Sequence, residues 1–122
     1  MTVDKSTRET RTAWEHLPDA VRTYLTAHTA LDVATALTTF TDDAAVTDEG
    51  RTYRGRDEIA AWFGSAGSEF TYTTEFVEAT TSGAADTDVV QHLEGDFPGG
   101  VADLHFRFTL DGALISRLVI EP

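Results

Sequence analysis

Phe40-Thr41-Asp42-Asp43-Ala44-Ala45-Val46-Thr47-Asp48 is the stretch on which the reading of this chain turns. Val33, Ala36, Leu37 and Phe40 form an apolar stripe at helical spacing entered at Asp32, which predicts a helix over 32–40. Asp42-Asp43 then reads as a tight acidic turn. Ala44 to Asp48 follow as a short strand whose last residue is a carboxylate.

Upstream, Leu17-Pro18-Asp19 places proline at the first position of a helix. Leu17, Val21, Tyr24, Leu25 and His28 recur at helical spacing and predict a helix over 18–30. Downstream, Thr52 to Arg54 is a second short extended piece beyond Glu49-Gly50. Gly55-Arg56-Asp57-Glu58 opens a third helix over 56–63, with acids in the first turn where the helix dipole favours them. Its apolar face is Ile59, Trp62 and Phe63, and Gly64 to Gly67 is expected to end it. The remainder is rich in Thr, Val, Phe and Tyr and reads as strands over 69–80, 89–94, 101–110 and 113–121, with turns at Ser82-Gly83, Gly95 to Gly100 and Asp111-Gly112. Helices followed by a long antiparallel sheet predict an α+β domain over 17–122, preceded by a solvated arm over 1–16.

The chain has 122 residues, enough for one domain, and 41% of them are apolar. It has no cysteine, which excludes disulfides and thiolate metal sites. Nine basic residues stand against 21 acidic ones, a net charge of −12 that repels nucleic acid and anionic membranes. No apolar run is long enough to span a bilayer, and Met1 to Arg11 lacks the apolar core of a signal peptide, so the expected location is cytoplasmic. No histidine pair has the spacing of a helical metal site, so no metal is expected.

Three segments carry a family resemblance: Phe40-x-Asp42-Asp43-Ala44-x-Val46-x-Asp48, Tyr53-x-Gly55-Arg56-x-x-Ile59, and Gly95-x-Phe97-Pro98-Gly99, supported by Leu104-His105-Phe106-Arg107-Phe108. With the element order, they make residues 17–120 resemble the nuclear transport factor two-like superfamily, which includes ketosteroid isomerases, SnoaL-like polyketide cyclases and limonene epoxide hydrolase. The resemblance implies a cone-shaped, strongly bent sheet packed on three helices around a pocket, and commonly a homodimer through the sheet's outer face. It implies a general base at Asp48 and an enolate hydrogen-bond donor at Tyr24, with no cofactor. The isomerases place a second, acidic donor where this chain has Leu104. Asp103 is adjacent, but successive strand residues face opposite sides, so the second donor is expected to be missing.

The expected function is therefore a cofactor-independent isomerase or cyclase that moves a proton alpha to the carbonyl of a small apolar ligand. A non-catalytic ligand-binding or dimerisation module with the same pocket remains open. Each residue also carries a plainer reading. Asp48 also fits a turn aspartate, Tyr24 a core tyrosine, and His28 a histidine favoured at a helix C-terminus. The expected pocket residues are His28, Trp62, Phe63, His92, Leu104 and Phe106, with the choice between Gln91 and His92 left open. Arg51, Arg54 and Arg56 are expected to pair with Asp57 and Glu58 or to recruit an acidic substrate. Asp103, His105 and Arg107 are expected on the outer sheet face.

Overall fold

A computed structural model describes residues 9–122, and the part of the expected arm over 1–8 lies outside the described residues. Residues 9–16 are attached to the sheet. Strand β1 (Glu9–Arg11) pairs antiparallel with β4 (Tyr72–Ser82), and Arg11 meets Glu78 at 2.6 Å. A single 3-10 turn at Trp14–His16 then sets Trp14 edge-on to Phe76, with ring centres 5.5 Å apart.

Helix α1 (Asp19–Ala30) buries Val21, Tyr24 and Leu25 on the face predicted from their spacing. It ends at Leu31, whose left-handed backbone (φ 57°) lets its N–H reach back to the Ala27 and His28 carbonyls. Asp32 caps α2 (Val33–Leu37) by accepting the Thr35 N–H at 3.2 Å. The helix predicted to reach residue 40 stops at Leu37. The hydroxyls of Thr38 and Thr39 bond back to the Thr35 and Ala36 carbonyls, each at 2.6 Å, and Phe40 opens a strand. The opening stretch is thus one nine-residue strand, β2 (Phe40–Asp48), rather than a helix end, a turn and a short strand. Exposed Asp42 and Asp43 mark a shift in its pairing between Phe40 and Ala45, where the sequence suggested a turn.

Glu49 and Gly50 both take positive φ and join β2 to β3 (Arg51–Arg54) in a tight hairpin. Helix α3 (Gly55–Glu69) runs past Gly64, the expected stop. A glycine inside a helix costs about 1 kcal/mol, which one helix can absorb. Arg56 pairs with Asp42 and donates to the Phe40 carbonyl rather than pairing with Asp57 or Glu58. Glu58 instead accepts the Arg54 backbone N–H at 2.8 Å.

Strands β4, β5 (Asp86–Gly95), β6 (Val101–Asp111) and β7 (Leu114–Glu121) form an antiparallel meander. The seven-stranded sheet has the order β1-β4-β5-β6-β7-β2-β3 and curves around the helices. The α+β cone on three helices is therefore present, with one departure: β2 and β7 are parallel. The long connection between them imposes no hairpin geometry, so the antiparallel rule for close neighbours does not apply. The core lies between α1, α3 and the concave sheet face, where Val21, Phe40, Val46, Ile59, Val89, Phe106, Phe108 and Leu118 are almost fully buried. Among the described residues no helix is long and apolar enough to cross a membrane.

Gly95 sits opposite Tyr72 at one end of the β4–β5 pair. A Cβ there would stand 2.3 Å from the Thr71 carbonyl oxygen and 2.4 Å from the Tyr72 Cβ. Gly95→Ala is expected to lower stability by about 1–3 kcal/mol in urea unfolding. An unchanged midpoint would show that the two strands part freely at this end.

Candidate functional site

A cavity of about 870 Å³ opens between α3 and the concave sheet face, a size suited to a small organic ligand. Asp48 and Glu49 reach it from the end of β2, Arg51 and Tyr53 from β3, and Glu58 and Trp62 from α3. The wall is completed by His28 of α1, Phe70, Tyr72 of β4, Leu93 of β5, Phe97 and Pro98 of the following loop, Leu104 and Phe106 of β6, and Ile120 of β7. A more open groove of about 520 Å³ beside Trp14 and α1 is lined by exposed polar residues such as Asp19 and Thr23, without comparable convergence of ionisable groups.

Asp48 occupies the cavity because β2 pairs in parallel with β7, which sets it beside Ile120. The indole Nε1 of Trp62 donates to its Oδ2 at 3.0 Å. Burial raises the Asp48 pKa; the Trp62 bond opposes that shift and Glu49 adds to it. Across the cavity, the Tyr72 hydroxyl lies 3.2 Å from His28 Nε2. Burial lowers the His28 pKa to about 4, so the ring is neutral near neutral pH. Burial also raises the Tyr72 pKa, and the field of Asp48 adds to it, so the two groups sense each other.

Tyr24 is fully buried, with its ring stacked on His28 and edge-on to Phe40, Phe63 and Phe108. Its hydroxyl has no hydrogen-bond partner, and its pKa is held well above the ordinary tyrosine value by burial, then by Tyr72 and Asp48. It lies behind the cavity wall rather than on it, as does Phe63, which is 3% exposed. Asp48, His28, Trp62, Leu104 and Phe106 line the cavity.

His92 does not line it. The alternation on β5 turns Val89, Gln91 and Leu93 inward, while the His92 ring lies on the other face between Asp103 (2.6 Å) and Glu94 (2.9 Å). These two carboxylates raise its pKa. Asp103, His105 and Arg107 lie on that same outer face, with His105 and Arg107 both paired to Asp88. Gln91 is 3% exposed and its Nε2 has no partner. Arg51 of the expected arginine cluster is among the residues that line the cavity. Tyr72, one of the aromatic residues that the sequence assigns to the core and the cavity wall, lines the cavity. Sequence reasoning missed the Trp62 indole as the partner of Asp48, which depends on how α3 lies across the end of β2.

No histidine, cysteine or carboxylate group among the described residues is arranged to hold a metal ion.

Residues 21–118 match the profile of the SnoaL-like domain. No curated protein matches the sequence. Among solved structures, a candidate polyketide cyclase from Sinorhizobium meliloti is 32% identical, covers 90% of this chain and 100% of its own, and has a TM-score of 0.84. A protein from Catenulispora acidiphila with a ketosteroid isomerase-like fold, in complex with trimethylamine, is 18% identical over 86% of this chain and 85% of its own, with a TM-score of 0.75. A Mycobacterium tuberculosis protein in complex with estradiol-17beta-hemisuccinate is 17% identical over 84% and 90%, with a TM-score of 0.72. At such low identity the last two speak to the fold alone.

Burial of neutral His28 makes acid sensitivity testable. In the unfolded chain His28 takes up a proton near 6.5, whereas the folded chain resists until about 4. Its contribution is therefore present above 6.5 and is lost as pH falls towards 4, on the order of 3 kcal/mol in all. Urea unfolding across this range should show a shallower pH slope for His28→Gln than for the wild type. Equal slopes would mean that His28 titrates normally in the folded state.

Proposed function

The chain belongs to the SnoaL-like domain family, and from that premise we propose that it is a cofactor-independent isomerase- or cyclase-type enzyme acting on a small apolar carbonyl compound. The family is one of small-molecule-binding isomerase and cyclase folds. The observation that carries the reading is Asp48: a carboxylate with a raised pKa, held by Trp62 on the wall of a largely apolar cavity. A raised pKa makes this carboxylate a stronger base than an exposed aspartate, suited to take a proton alpha to a carbonyl and, once protonated, to give it back.

In this reading Asp48 removes the alpha proton, and the bonding electrons move onto the carbonyl oxygen as an enolate. The resemblance gives the hydrogen bond to that oxygen to Tyr24; its hydroxyl has no protein acceptor but lies behind the cavity wall, so this role requires the ligand to reach past the wall residues. Return of the proton to another carbon completes an isomerisation. Attack of the enolate carbon on a second carbonyl closes a ring and leaves an alkoxide on that oxygen, which takes back the proton held by Asp48. The Mycobacterium tuberculosis neighbour holds a steroid derivative, so a protein of this fold can accommodate a ligand of this ring-bearing kind. The proposed assembly is a homodimer through the outer sheet face, which carries paired histidines and exposed Val77 and Val101. Light scattering should give the dimer mass; a monomer at tens of micromolar (~8 kcal/mol corresponds to a micromolar Kd) removes that part.

A second reading, a binding module without catalysis, is favoured by Leu104, which leaves an apolar wall where the isomerases carry an acidic donor. Asp48→Asn separates the two and keeps an oxygen acceptor for Trp62. With 2-acetylnaphthalene in deuterium oxide, the enzyme reading expects exchange of the methyl protons, lost by about 10²–10⁴-fold in the variant while binding persists. The wild-type rate should fall as pH drops through the raised Asp48 pKa. Folded Asp48 holds its proton to higher pH than unfolded Asp48, so its charge reduces stability as pH rises through that window. The variant should therefore melt higher than wild type at neutral pH, and the difference should vanish in acid. Unaltered exchange in Asp48→Asn would leave the binding-module reading.

A further inference from the structure

The resemblance implies two donors for the oxygen of an enolised ligand, and Leu104 offers none. The same cavity carries a hydroxyl that this scheme does not use. Tyr72 lines the cavity, with its oxygen 3.2 Å from His28 Nε2 and no other hydrogen-bond partner among the described residues. Which of the two groups donates follows from the far side of the imidazole. His28 Nδ1 is buried and has no partner. A proton there would be a buried N–H without an acceptor, which folded proteins avoid more strictly than a bare acceptor. The proton therefore belongs on Nε2, so His28 donates and the Tyr72 oxygen accepts. The Tyr72 hydroxyl proton is left without a protein acceptor beside the open cavity. A hydroxyl that accepts a hydrogen bond is also polarised to give a stronger one.

We propose that Tyr72, braced by His28, donates a hydrogen bond to the ligand's oxygen and replaces the donor that Leu104 lacks. The ligand's oxygen then enters towards β4, with the alpha carbon facing Asp48 on the opposite wall; this orientation rests on the Asp48 reading above. Tyr72 contacts the ligand, and His28 acts as a positioning residue behind it.

The test uses two probes of matched shape, 2-acetylnaphthalene and 2-isopropenylnaphthalene, which differ by C=O against C=CH₂. Fluorescence titration should show the wild type preferring the ketone. Tyr72→Phe keeps the ring and should cut that preference about tenfold, the scale of one neutral hydrogen bond, without weakening the hydrocarbon. His28→Gln, which still presents an N–H, should retain most of the preference, and His28→Leu should lose it. A melting curve for each variant confirms that the fold is intact. An unchanged preference in Tyr72→Phe, or a wild type that binds the two probes equally or not at all, overturns the proposal. So does a preference that survives Tyr72→Phe and disappears in Gln91→Leu or Tyr24→Phe, because the donor is then another of the unpaired groups. If exchange depends on Asp48 but Tyr72→Phe changes nothing, the donor falls and the base stands. If no exchange occurs yet Tyr72→Phe abolishes the preference, the base falls and the donor stands.

Discussion

In β2 the chain runs alongside β7 in the same direction, with Val46 beside Leu118 and Asp48 beside Ile120. That parallel pairing decides where the chemistry of this fold can sit. Ile120 pairs with Phe106 on β6, and both line the cavity, so the last residue of β2 arrives at the cavity's edge. Reversed, β2 would carry Asp48 to the other end of β7, near Ile115, which is buried in the core. α3 follows directly after the β2–β3 hairpin, and so Trp62 lies within reach of the carboxylate it holds.

The concave face of the sheet is wider than three helices can fill, and the space left over is the cavity. Its surroundings break rules that the rest of the core obeys. The Tyr24 hydroxyl, His28 Nδ1 and Gln91 Nε2 are buried without partners. Each such group costs about 1–3 kcal/mol in a folded protein. Local violations of polar satisfaction of this kind are expected where a ligand completes the structure. The burial responsible also shifts the ionisation of Asp48, His28 and Tyr72 away from ordinary values, each towards the neutral form.

The outer face of the same strands behaves oppositely. His92 and His105 sit beside carboxylates at or near the surface, and Arg107 bridges Asp88 and Glu121. Two histidines, His28 and His92, thus shift in opposite directions in one small domain. Desolvation sets the first and neighbouring carboxylates set the second.

Much of this was legible in the sequence by itself. Helical spacing identified the buried face of α1. Alternation separated Leu104 and Phe106 from Asp103, His105 and Arg107. The motifs around Asp48 pointed to the family. Local patterns of this kind depend on residues a few positions apart, whose relation the backbone geometry dictates. The helix predicted to reach Phe40 ended early because successive threonine hydroxyls compete for helix carbonyls, and α3 outran Gly64 because its packing outweighs a local penalty. What only the tertiary structure decided was long-range. It set the direction of β2 against β7, the choice of Gln91 over His92 as the inward residue, and the meetings of Trp62 with Asp48 and of His28 with Tyr72. Each of these joins groups from elements whose relative placement follows from packing a curved sheet on three helices. No spacing along the chain encodes that placement.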